Sequence, residues 1–159
     1  MLRAVAGEVF GPFTLIRPLS DQGVRQRWIV RRSDEPAGRP FLLEVLPGPL
    51  AEHRALDRPL REELAYLRTF QDERFAQPAR MALVRNHIGF SFFVPGTHTL
   101  QDLLAKLKQG DIAMPASAVL DLLEELTRGL IAFHERPLAK GQSRAHLALR
   151  PAHIFLIPN

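Results

Sequence analysis

The sequence predicts an α+β fold: a five-stranded antiparallel sheet with one packed helix, followed by the first helices of a helical segment. Three observations predict it. Short apolar runs separated by turns rich in Gly, Pro and Asp fill the first half, as adjacent antiparallel strands do. From residue 57 the apolar spacing changes to i, i+4, i+7, the period of a helix packed on one side. Beyond residue 99 two leucine-rich helical patterns occur with no strand between them.

Residues 9–16, Val-Phe-Gly-Pro-Phe-Thr-Leu-Ile, read as the first strand, with Phe13 and Leu15 on one face. Pro18 to Gly23 is a turn, and Trp28-Ile-Val30 supplies the second strand. Another turn spans Ser33 to Pro40, and Phe41 to Leu46 forms a third strand closed by Pro47-Gly48-Pro49. Asp57 is placed to cap a helix whose apolar positions are Leu60, Leu64 and Leu67. Met81 to Val84 and His87 to Val94 are the last two strands, and Pro95-Gly96 ends the pattern. Thr99 then opens a helix as Thr-x-x-Asp, with Asp102 closing a capping box and Leu100, Leu103, Leu104 and Leu107 in one stripe. A longer helix begins near Pro115, and Val119, Leu122, Leu123, Leu126, Leu130 and Phe133 are its expected core face. There is no internal repeat and no low-complexity tract.

The 159 residues suit one ordinary domain with a real core. No run of 18 apolar residues is present, so no membrane span is expected, and the N-terminus lacks the apolar stretch of a secretory signal. With no cysteine, disulfides and thiolate metal sites are excluded, and a cytoplasmic location is the default. The net charge of +4 comes from scattered arginines, the densest being Arg25, Arg27, Arg31, Arg32 and Arg39. No aromatic-interleaved basic stripe accompanies them, which argues against nucleic acid as the partner. The six histidines show no H-x-x-x-H or H-E-x-x-H spacing, so no metal site is expected.

The strongest chemical signal is the C-terminal stretch His146-Leu-Ala-Leu-Arg150-Pro151-Ala-His153-Ile-Phe-Leu-Ile. It resembles the protein-kinase catalytic loop H-R-D-L-K-P-x-N and the apolar strand after it. Ala148 stands at the base aspartate, Arg150 at the lysine and His153 at the metal-binding asparagine. Other stretches resemble bacterial serine/threonine kinases in the same order. Phe13-Thr-Leu-Ile-Arg-Pro-Leu-Ser is similar to the strand entering the glycine-rich loop. Phe93-Val94-Pro95-Gly96 through Leu100-Gln-Asp-Leu-Leu resembles the hinge and the helix after it, and Leu130-Ile-Ala-Phe-His134-Glu135 the end of the long helix. The resemblance implies a kinase-like small lobe over residues 1–95 and the start of a large lobe over residues 96–159.

It also implies how the chemistry has changed. Ser20, Gln22 and Arg25 take glycine-rich-loop positions, leaving only Gly23 for flexibility. The valine that packs on adenine becomes Arg27, which either fills the adenine space or points to solvent. The motif V-A-I-K becomes Leu42-Leu43-Glu44, so an acid replaces the phosphate-anchoring lysine, and Glu62 (or Glu63) takes the place of its helix-borne partner. Two carboxylates cannot form the activating ion pair and would repel each other at close range; the plainer reading is that Glu44 is exposed or pairs with a loop arginine. A methyl group at 148 neither accepts a hydroxyl proton nor orients a nucleophile. The sequence stops ahead of D-F-G and A-P-E, as either a remnant or a fragment would.

The resulting expectation is a catalytically inactive kinase-like module, acting as scaffold or allosteric regulator through a protein partner. No cofactor is expected, with ATP bound without magnesium as the exception. The alternatives are an unorthodox ATP-dependent phosphotransferase or ATP-binding regulator using Arg25, Arg27, Arg150 and His153, and an unrelated α+β interaction domain.

Overall fold

The computed structural model describes residues 5–19, 26–46, 55, 57–69, 72–84, 86–135 and 149–156. Gly23, Arg25, His146 and Ala148 lie outside the described residues, as do Pro47-Gly48-Pro49.

The strands are β1 (Val9–Phe10), β2 (Phe13–Pro18), β3 (Gln26–Arg32), β4 (Phe41–Val45), β5 (Gln77–Val84) and β6 (His87–Phe93). They form one antiparallel sheet in the order β1-β2-β3-β4-β6-β5. The sheet has six strands where the sequence suggested five. Residues 9–16 are not one strand: Gly11, at φ +60°, and Pro12 turn the chain so that Val9 pairs with Thr14 and Phe10 with Phe13. Asn86, also at positive φ, helps close the tight β5–β6 hairpin.

Strand pairing puts directly opposed residues on one face. One face carries Trp28, Val30, Phe41 and Leu43, which form a buried cluster with Phe10, Phe13, Leu15 and Val45. Ala79 of the edge strand β5 also packs on that cluster. The opposite face carries Arg27, Ile29, Leu42, Glu44, Phe90 and Phe92. Helix α1 (Asp57–Arg68) lies on one end of it, its Leu64 buried and Leu60 half-buried against Leu46, Ile88 and Phe90. The side chain of Asp57, the expected cap, lies outside the described residues.

The chain divides into two compact units: Met1–Thr97 together with Phe155–Asn159, and His98–Ile154. In the second unit α2 (Leu100–Gln109) begins at the expected capping box. Thr99 accepts from the Asp102 amide, and Asp102 Oδ2 accepts from the Thr99 amide at 2.8 Å. Gly110, at φ +78°, ends the helix in the left-handed conformation. Helix α3 (Ala116–His134) starts after Pro115, which takes the capping position rather than the first helical one. Its expected core face is only partly correct. Leu122, Leu126, Leu130 and Phe133 are half-buried, whereas Val119 and Leu123 are exposed and the one buried residue is Gly129. Pro151–His153 form a single 3-10 turn, and the Leu100 amide donates to Ile154 O at 2.8 Å. No helix among the described residues is long and apolar enough to cross a membrane.

Candidate functional site

The chemistry-bearing residues of the strand unit meet on the sheet face shared with α1. Arg27 and Glu44 are opposite each other in the β3–β4 register, and Arg27 Nε lies 3.0 Å from Glu44 Oε1. The Arg27 side chain is 4% exposed and that of Glu44 18%. The pair is therefore largely removed from water, where charges survive only with a counter-charge. Arg27 does not point to solvent, and Glu44 has this strand neighbour as an ion-pair partner.

Glu62 is elsewhere. It is exposed on α1 and pairs with Arg58 one turn earlier, Nε to Oε1 at 2.8 Å. Glu62 does not meet Glu44, because helical rotation turns it outward while Leu60 and Leu64 face the sheet; the alternative, Glu63, is half-buried on the same helix. The helix and the sheet are joined by apolar packing and by Arg68, which donates to Ala79 O at 3.1 Å.

Alongside the ion pair, the same face is filled by carbon. Leu19, Ile29, Leu42 and Val94 form a buried cluster, and Phe92 and Phe155 pack against it. Phe155 belongs to the short apolar stretch after the loop, where the sequence suggests a strand but assigns this residue no role. Its aromatic bulk in a run of aliphatic residues was the available signal. Arg17 completes the arrangement. A bulge between Leu15 and Arg17 brings Arg17 opposite Ile29, onto this face, and its Nη2 donates to Thr97 O. Without that extra residue Arg17 would oppose Trp28 on the other face.

Arg150 is exposed, ahead of the 3-10 turn that carries His153, which is half-buried. Among the described residues no three His, Asp or Glu side chains are grouped to hold a metal ion. The structure thus brings Arg27 and Glu44 together and leaves Glu62 apart from them.

No family model and no curated protein matches the chain. Solved structures do. A single-substitution variant of the Mycobacterium tuberculosis PknI kinase domain superposes with a TM-score of 0.60 at 18% identity, over 95% of this chain and 57% of that one. A double-substitution variant gives 0.61 over 94% and 57%, and a further PknI kinase-domain structure 0.58 over 94% and 55%, both at 18% identity. The fold is protein kinase-like. This chain spans little more than half the length of those kinase domains. Within that fold, the sheet face holding Arg27 and Glu44 is the one where the resemblance places the adenine-packing valine and the phosphate-anchoring lysine.

Proposed function

We infer that the chain is a catalytically inactive kinase-like module that acts through protein–protein interaction, as scaffold or allosteric regulator. One observation carries this reading: the two side chains replacing valine and lysine neutralise each other on the face a nucleotide would need. Arg27 occupies the space of a small apolar side chain, and its charge is engaged by Glu44. A triphosphate brought to this face meets a neutralised ion pair where the family offers an ammonium, so the charge that would anchor it is missing. Leu19, Leu42, Val94 and Phe155 close together beside the pair, so apolar surface that an adenine ring would cover is already covered.

The catalytic loop supports the same reading from the sequence. Ala148 supplies no acceptor for a substrate hydroxyl, and His153 replaces an amide oxygen suited to magnesium with an imidazole. Arg27 is also held away from the alternative kinase chemistry, since releasing it breaks an ion pair that is largely removed from water.

The test is thermal unfolding with ATP, alone and with magnesium or manganese. A ligand at one hundred times its dissociation constant stabilises by about 2.7 kcal/mol, equivalent to roughly 5–10 °C for a chain of this size. The expected result is no shift. The double variant Arg27→Val with Glu44→Lys, which restores the family residues, serves as the comparison. A rise of several degrees in the unaltered chain overturns the reading.

A further inference from the structure

The sheet face that carries Arg27 and Glu44 also carries an apolar seat, and the chain fills it with a ring from far along its length. Ile29, Leu42 and Phe92 stand side by side in the register of β3, β4 and β6, so they share one face. Leu19 and Val94 join Ile29 and Leu42 in one buried cluster, and Phe92 packs against it. All of these residues belong to the strands or to the positions just after them. The remaining member does not. Phe155 lies beyond both α2 and α3, and its half-buried side chain packs on the same cluster. It is the one aromatic residue in Ile154-Phe-Leu-Ile157. A flat ring laid on leucine, isoleucine and valine makes the contact that a planar apolar ligand would make.

The surroundings restrict what else the seat could hold. Its side chains are all carbon, so a charged substituent would lose its water there without recovering a partner. Both arginines of this face already have oxygen partners: Arg27 pairs with Glu44, and Arg17 donates to Thr97 O. An anionic ring would have to draw one of them away, whereas a neutral ring disturbs neither.

We propose that the cluster of Leu19, Ile29, Leu42 and Val94 is a ring-binding seat that the chain occupies with its own Phe155. Phe155 is then a built-in plug, and with its ring withdrawn the seat takes a neutral, planar aromatic ligand. This deepens the reading of the chain as a kinase-like module without nucleotide and rests on it. A ring tethered in the same chain competes at an effective concentration of about millimolar or above, so small free aromatics do not displace it. An apolar cavity of ring size, once opened, stays dry and accepts such a molecule.

The experiment uses the 159-residue chain and its Phe155→Ala variant, with toluene as the neutral ring and benzoate as its charged counterpart. At ten times its dissociation constant toluene should raise the unfolding temperature of Phe155→Ala by about 3–6 °C and leave the unaltered chain where it was. Methyl NMR signals of Leu42 and Val94 should move as toluene is added to the variant. Benzoate should bind at least tenfold more weakly. Equal stabilisation of both chains, no uptake by a folded variant, or equal binding of benzoate overturns the proposal. If Phe155→Ala does not fold, Phe155→Leu decides. The Leu42 and Val94 methyl signals should then lose the ring-current shift they show in the unaltered chain, and signals that stay in place overturn the plug. ATP-dependent stabilisation of the unaltered chain, with toluene uptake confined to the variant, would count against the inactive-module reading alone.

Discussion

Among the described residues the strand unit buries sixteen large apolar side chains, from Phe10 to Val94, while the helical unit buries Thr99, Gly129 and Ala152. The two units have comparably apolar sequences, so composition is not the difference. Both faces of the sheet carry buried apolar clusters drawn from its own unit, with α1 packed on one of them. Helix α2 has no buried residue, and α3 keeps a strip of Leu and Ile in water. A unit that completes its own core can be altered at its face, as Arg27 and Glu44 have been, and still stand. A unit with an uncovered helix depends on what else packs there. The kinase-like fold is thus held by the core of its sheet, while the described helices bury little of their own apolar surface.

Substitutions in each unit put this contrast at risk. Phe10→Ala should cost about 3–5 kcal/mol in urea unfolding, as truncation of a buried aromatic does. Leu120→Ala should stay within about 0.5 kcal/mol. Equal losses would mean that the helical unit has a core after all. Arg27→Ala should cost about 3 kcal/mol by breaking a largely buried ion pair, whereas Arg27→Met with Glu44→Leu should recover most of that. If the single variant is neutral, the ion pair does not hold the face together. Thr99→Ala removes the cap of α2 and should lower stability by about 1 kcal/mol, read in helicity by circular dichroism.

The smallest effect is electrostatic. Arg74 donates to both carboxylate oxygens of Asp72, at 2.9 and 2.8 Å, and these bonds hold the Asp72 carboxyl below its ordinary range. A carboxyl with a lowered folded-state pKa adds stability above its unfolded pKa of about 3.9 and loses it as pH falls through the folded value. Asp72→Asn should therefore be less stable than the unaltered chain at neutral pH, with the gap closing below about pH 4. A gap that widens on acidification would show that the pair plays no such part.

Much of the architecture was legible in the residues. The strand pattern, the Thr99–Asp102 capping box and the Leu60–Leu64 face of α1 arise from local periodicity and capping chemistry, which need no tertiary information. The order of motifs pointed to the kinase-like fold that the solved structures share. Less legible was where the charges go. Glu62 looked like the partner of a cleft residue, yet helix rotation sends it outward to Arg58. Arg27 and Glu44 each stood out as altered positions, while their pairing depends on a β3–β4 register that sequence spacing does not specify.

The chain's own letters determined the architecture: apolar period, turn residues and caps select strands and helices locally, and Ala148 excludes a proton acceptor at that position whatever the fold. Only the tertiary structure decided that Arg27 meets Glu44, that a bulge turns Arg17 toward Thr97, and that Phe155 packs on the cluster of Leu42 and Val94. The physical reason is that a one-residue shift of register moves a side chain to the opposite face of a sheet. Long-range pairing therefore chooses among arrangements that local preference leaves nearly equal.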